Sequence, residues 1–180
     1  MSRSSSRDAR SVGVDYLVVG VDASPLRVGW AIMLGPRLID SGTWFVARDE
    51  PIASRKQLWK DLRDNLRSVE RDANQDVRII GIEAPYVGPN RQGTLAHARN
   101  IGQQEAFAYT SFPYAEQRLI HPSEWRRALG LPMRGKAPAM EHASSFVAYE
   151  PGEGIIDQDT ADAICIADAT RLILAAEEAA

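Results

Sequence analysis

Cysteine is nearly absent: Cys165 is the only one in 180 residues. That excludes an intrachain disulfide and a cysteine-built zinc cluster, and it points to a reducing, cytoplasmic setting. Long apolar runs are missing too. The longest fall far short of the roughly 20 residues needed to cross a bilayer, so no membrane partner is expected. The opening segment, MSRSSSRDAR, has three arginines and no apolar h-region, so it is not a secretory signal. Residues 1–14 read as a disordered basic arm. Net positive charge is also lacking. With 21 Lys and Arg against 24 Asp and Glu the sum is −3, the wrong sign for a protein that holds phosphates. Two considerations weaken that exclusion. Basic side chains can gather on one face, and metal neutralisation of four carboxylates would turn −3 into +1. No internal repeat is present, and no low-complexity block lies outside the two tails.

What remains is a soluble globular composition, 44% hydrophobic and 25% charged, long enough for one real core. The folded domain is expected over residues 15–176, with 177–180 a solvated acidic tail. Its organising stretch is Tyr16 to Ile32, YLVVGVDASPLRVGWAI. The apolar run up to Val21 is too short for a buried helix and rich in Val, so it reads as a central strand covered on both faces. It ends at Asp22. A carboxylate at the end of a buried strand is usually paired, bound to a metal, or receiving N–H groups from the turn that follows. The stretch alone leaves those alternatives open.

Val28–Leu34 and Leu38–Val46 read as two further strands joined by Gly35-Pro36-Arg37, which makes an antiparallel meander. Leu58, Leu62, Leu66 and Val69 recur at helical spacing within an amphipathic helix over Ser54–Val69. Val77–Glu83, VRIIGIE, then repeats the opening pattern of a β-branched run closed by a carboxylate. A strand, a crossover helix and a second strand imply parallel pairing, so Asp22 and Glu83 should emerge at one sheet edge, where α/β sheets bind ligands. Ala84–Gln92 reads as a loop. Thr94–Tyr109 reads as a helix with an apolar stripe of Leu95, Ala98, Ile101, Gly102, Ala106 and Tyr109. Gln117–Ile120 is a short strand, and Ser123 an N-cap for a short helix through Trp125 to Leu129. Gly130–Gly135 is a basic turn, Lys136–Tyr149 a helix and Glu150–Gly154 an acidic linker.

The last helix is expected from Asp157 to Ala176, with Asp157 favoured by the helix dipole. Asp159 and Asp162 are three residues apart, so they lie about 60° apart on the helix and face one way. Their neighbours are small or apolar, and like charges on such a face need a cation between them. Four carboxylates are therefore candidates: Asp22, Glu83, Asp159 and Asp162. Oxygen-only ligands suit Mg²⁺ or Mn²⁺ and argue against zinc. Two such ions about 4 Å apart would activate a water and stabilise the leaving oxygen in phosphodiester cleavage.

GVDASPLRVGWAI, IIGIEAPYVGPN and DTADAICIA resemble the three acidic motifs of the RuvC-type Holliday-junction resolvases. The resemblance spans Leu17 to Leu174 and is sharpest at Asp159-Thr160-Ala161-Asp162-Ala163, which is similar to the family's D-A-A-D-A. It implies an α/β, RNase H-like fold: a five-stranded mixed sheet, an antiparallel meander plus parallel strands, with helices on both faces. It implies two Mg²⁺ ions, with Mn²⁺ able to substitute, on Asp22, Glu83, Asp159 and Asp162. Lys136 would be the family's basic residue near the scissile phosphate, assisted by Arg134. Tyr86 to Tyr109 would carry junction contacts and the homodimer surface. The partner would be branched DNA, preferably four-way junctions. Two departures stand out. Asp22-Ala23-Ser24 replaces the common D-P-G, and Trp125-Arg126-Arg127 looks more like phage-borne members, which can be less selective among branched DNAs.

Other residues have plainer readings beside the functional ones. Tyr86 could stack on an unpaired base or pack against the sheet edge. Arg91, Arg99 and Arg118 could touch phosphate, although a solvated arginine is the default. His121 and His142 could serve as bases, but two-metal chemistry needs none and a structural role is the simpler reading. Trp30, Trp44, Trp59 and Cys165 read as core or half-buried residues. Two rival functions share much of this pattern: a non-catalytic branched-DNA-binding protein, and a fragment of an actin-like or sugar-kinase ATPase. Nicking that responds to Mg²⁺ separates the first, and ATP binding would favour the second.

Overall fold

In a computed structural model, described here for residues 16–85, 91–147 and 156–180, five strands form one sheet in the order β3-β2-β1-β4-β5. The strands are β1 Leu17–Ala23, β2 Arg27–Leu34, β3 Arg37–Phe45, β4 Val77–Glu83 and β5 Glu116–Ile120. β1, β2 and β3 pair antiparallel, while β4 runs parallel to β1 and β5 parallel to β4. The helices are α1 Pro51–Ala73, α2 Arg91–Ser111, α3 Pro122–Ala128, α4 Ala137–Ser144 and α5 Gln158–Glu178. This is the expected mixed sheet with helices on both faces. The arm at 1–14, Tyr86 and the acidic linker lie outside the described residues.

Alternation along β1 decides which residues meet which layer. Leu17, Val19 and Val21 join Leu58, Trp59, Leu62 and Leu66 of α1 and Ile101, Ala108 and Phe112 of α2 in one core. Val18 points the other way, into a second core with Ala161, Ala163, Ile164 and Ala167 of α5. Glycines share that second face. A Cβ on Gly20 would run into the Ala163 carbonyl and the Ala167 amide, and one on Gly81 into the Thr170 hydroxyl. A Cβ on Gly29 would strike the backbone of Asp159. Three adjacent strands therefore carry glycine where α5 crosses, which lets helix and sheet backbones approach closely.

Several local expectations need correction. The N-cap of α3 is His121, whose ring nitrogen accepts from the Ser123 amide, in place of Ser123 itself. α4 begins one residue after Lys136 and ends at Ser144, well short of Tyr149. Of the stripe expected on α2 Ile101 is buried, but Leu95, Ala98, Gly102, Ala106 and Tyr109 are exposed, and the packing face is completed by Asn100, Gln104 and Ala108. Each of the two polar residues there makes one side-chain hydrogen bond to a neighbouring element. Asn100 donates to the Ala23 carbonyl, and Gln104 accepts from the Trp59 indole. Glu177 and Glu178 belong to α5 and not to a loose tail. Arg118 grips Glu177 with two hydrogen bonds, and the Tyr16 hydroxyl donates to Glu178. Among the described residues no helix is long and apolar enough to cross a membrane.

Gly20→Ala should destabilise the fold by about 1–3 kcal/mol, because the new methyl must displace helix backbone and not a flexible side chain. Gly102→Ala in α2 meets nothing within 4 Å. It should be neutral or stabilising, by up to about 1 kcal/mol. Urea unfolding of both variants beside the wild type checks the pair.

Candidate metal centre at the sheet edge

The two strand carboxylates arise from the same parity as the glycines. Asp22 follows Gly20 by two residues and Glu83 follows Gly81 by two, so both side chains point to the α5 face. β1 and β4 run in parallel register there, with Gly20 beside Gly81 and Val21 beside Ile82. Asp22 is also the cross-strand partner of Gly29, the glycine over which the Asp159 backbone sits. One close approach therefore delivers the start of α5 to the strand carboxylates. Asp157 caps that helix, its carboxylate accepting from the Thr160 amide at 2.8 Å. Thr43 of β3 and Arg27 of β2 also bond Asp157, at 2.8 and 2.9 Å, which pins the helix start to the meander.

Electrostatics mark the four acids as one group. Asp22 is 8% exposed. Burial, and then the nearby charges of Glu83, Asp162 and Asp159, push its carboxyl well above the ordinary range. Asp22 and Glu83 lie close enough to share a proton between their carboxyls. Glu83 is raised by burial, against the opposing effect of the Trp125 indole, which donates to it at 3.3 Å. Asp162 is raised by burial too, with Gln158 donating to it at 2.9 Å and Arg126 opposing the shift. Asp159 is raised by burial and by Asp157, while Arg27 opposes, its Nε 2.6 Å from the carboxylate. Glu83, Asp162 and Asp159 thus each lean on a polar or basic partner, whereas Asp22 faces only other acids among the described residues. Among the described residues no three His, Cys, Asp or Glu side chains already stand as an ion's coordination shell.

The donor set nevertheless fits a hard divalent cation. All four groups are carboxylates, and the buried Asp22 and half-buried Glu83 form no Lys or Arg ion pair among the described residues. A divalent ion would relieve repulsion that the protein leaves uncompensated.

Basic residues flank the acids unequally. Lys136 is exposed at the N-cap of α4, and its charge is felt at Asp159 and Asp162. Arg126 was not singled out from the sequence. It lies over the Trp125 ring at 4.5 Å, and its charge is felt at Glu83 and Asp162. Nothing distinguishes Arg126 from Arg127 in sequence except helical phase. Arg27 was missed as well. Arg134 is exposed in the turn before α4 and Arg99 on α2, and neither contacts the four acids among the described residues. Arg91 opens α2. Arg118 is committed to Glu177. His121 is a cap, and His142 bonds Asp168 at 3.0 Å on a later turn of α5. Neither joins the cluster. Cys165 is fully buried, and burial pushes its thiol up to about 12.

No protein-family model matches the chain, and no curated protein matches it. Solved structures do. The Thermus thermophilus RuvC structure in complex with a Holliday junction substrate superposes with a TM-score of 0.63 at 14% identity, over 88% of this chain and 94% of that one. A second T. thermophilus RuvC structure gives 0.61 at 14% identity, over 89% and 96%. The chain has the RuvC fold. The yeast mitochondrial Holliday junction resolvase shares it, with a TM-score of 0.57 at 12% identity over 91% and 81%. This RNase H-like architecture is the one that the acidic motifs imply, reached here without close sequence identity.

Two stability measurements test the electrostatics. Asp22→Asn removes a buried charge from three like neighbours, so the metal-free variant should melt above the wild type near neutral pH, by about 1–2 kcal/mol. A lower melting point would contradict the repulsion. Asp168 behaves in the opposite sense. Burial raises its carboxyl, but hydrogen bonds from His142 and Arg171 outweigh that and hold it below the ordinary range. Its stabilising contribution is therefore complete above about pH 4, the unfolded value, and is lost as pH falls through the lower folded value. Asp168→Asn should flatten that part of the acid-unfolding curve.

Proposed function

We propose that this chain is a metal-dependent, structure-selective endonuclease that resolves four-way or other branched DNA by paired phosphodiester hydrolysis, working as a homodimer. One observation carries the reading: the charges of Glu83 on β4 and of Asp162 and Asp159 on α5 all act on the buried Asp22 at the end of β1, on the RuvC fold. Two Mg²⁺ ions bound there, or Mn²⁺ in their place, would supply an activated water and a counter-charge for the leaving 3′ oxygen.

The chain's own residues have separate tasks. Asp22 and Glu83, at the ends of parallel strands, and Asp159 and Asp162, on the first turns of α5, would hold the ions. Trp125 holds the orientation of Glu83 through its indole N–H. Lys136, exposed beside Asp159 and Asp162, offsets charge on the phosphate under attack, with Arg134 further along the same turn. The exposed side chains of α2, Leu95 and Tyr109 among them, supply the homodimer surface together with the preceding loop. Arg91 and Arg99, with Tyr86 in that loop, contact the DNA. A reducing, cytoplasmic or nucleoid setting is consistent with the lone buried Cys165.

The second reading is a non-catalytic junction-binding protein. It draws on the partners that Asp159, Asp162 and Glu83 already have within the protein. A fragment of a two-lobed ATPase is poorly supported, because the matched RuvC chains are covered over 94% and 96% of their length.

Cleavage of matched four-way, three-way, flap and linear DNAs, with and without Mg²⁺, tests the proposal. The expected result is paired, Mg²⁺-dependent nicks on the four-way substrate, abolished in Asp22→Asn while junction binding persists. Binding without cutting by the wild type at any Mg²⁺ or Mn²⁺ concentration would favour the non-catalytic reading.

A further inference from the structure

Arg27 is the one arginine or lysine whose side chain forms ion pairs with acids at the start of α5 among the described residues. It sits on β2, two residues before Gly29, and opposite Phe45 of β3. Its two contacts differ in quality. Nη2 donates a hydrogen bond to Asp157 at 2.9 Å. Nε lies 2.6 Å from Asp159, yet its N–H finds no aligned acceptor among the described residues, so that contact is charge attraction without a proper hydrogen bond. The guanidinium also lies 5.3 Å from the Phe45 ring centre. Asp157 and Phe45 would therefore keep Arg27 in place if Asp159 swung away.

Asp159 is the one acid of the four that forms an ion pair with a lysine or arginine among the described residues, although its charge is also felt at Asp22 and Asp162. We propose that Arg27 is a positioning residue for Asp159: it holds this carboxylate back from the other three acids, and a divalent ion recruits Asp159 by exchanging for the poorly aligned Nε contact. This rests on the metal-centre reading above. The exchange costs one unaligned contact while the aligned bond to Asp157 and the ring contact remain. The ion site involving Asp159 is consequently weaker than the one built on Asp22, Glu83 and Asp162, and Arg27 sets the difference.

Isothermal titration of the full chain with Mn²⁺, checked by the electron paramagnetic resonance signal of free Mn²⁺, tests this. Wild type should bind one ion more tightly and one more weakly. Arg27→Gln should tighten the weaker site about tenfold, the scale on which an adjoining charge shifts a carboxylate's affinity for a cation. Asp159→Asn should remove that site, and Arg27→Gln should have no further effect in the Asp159→Asn background. A weaker site that is unchanged or loosened in Arg27→Gln overturns the inference. A second measurement needs no variant: Mg²⁺ titration of the wild type should shift the Arg27 Nε–H nuclear magnetic resonance signal, and a signal unmoved at saturation overturns it equally. Identical Mn²⁺ isotherms for wild type and Asp22→Asn would instead bring down the metal-centre reading itself.

Discussion

Everything at the strand edge depends on how closely α5 lies on the sheet. Gly20, Gly29 and Gly81 leave no side chain between the helix backbone and β1, β2 and β4. With ordinary residues there, the helix would stand further off and its acids would miss those on the strands. The same contact has an electrostatic cost. It brings four carboxylates, one of them nearly buried, out of water, and their proton affinities are raised by burial first, with like charge adding to the effect at Asp22, Glu83 and Asp162. The fold tolerates the cost because the rest of α5 is well packed, with Ala161, Ala163, Ile164 and Ala167 fully buried in the core between helix and sheet.

The two faces of the sheet serve different ends. The α1 and α2 face carries the larger apolar cluster, with Trp59, Leu58, Leu62 and Leu66 fully or almost fully buried. Polar groups within it reach the far side of the site. Asn100 bonds the Ala23 carbonyl directly after Asp22, and Arg55 donates to the Pro25 carbonyl at 2.7 Å. The turn between β1 and β2 is thereby held from behind, while α5 approaches from in front.

Much of this was legible in the sequence. β4 spans Val77–Glu83 as its β-branched run predicts, and the opening strand, the meander and the acids on α5 fall where periodicity puts them. Helix ends were less legible. α1 starts at Pro51, because proline suits a first turn, and it continues past the last apolar residue to a left-handed cap at Asn74. α2 misled because small residues such as Ala96, Ala98, Ala106 and Ala108 are spread over several sides, and because the polar Asn100 and Gln104 lie on the buried one, each making a hydrogen bond that no apolar count detects. The strand glycines were a signal left unread, since glycine inside a strand marks a close approach of backbone. Arg27 and Arg126 had no such signal. Their importance comes from partners 130 and about 40 residues away, Asp157 and Glu83, and tertiary structure alone brings these together.

The central claim is that residues far apart in the chain form one divalent-cation site. The most direct measurement is anomalous diffraction at the manganese edge from crystals grown with Mn²⁺. The account predicts peaks enclosed by Asp22, Glu83, Asp159 and Asp162, and none there in Asp22→Asn crystals. Saturating Mn²⁺ with no peak between those four carboxylates, in a lattice that leaves the strand edge open, would contradict it.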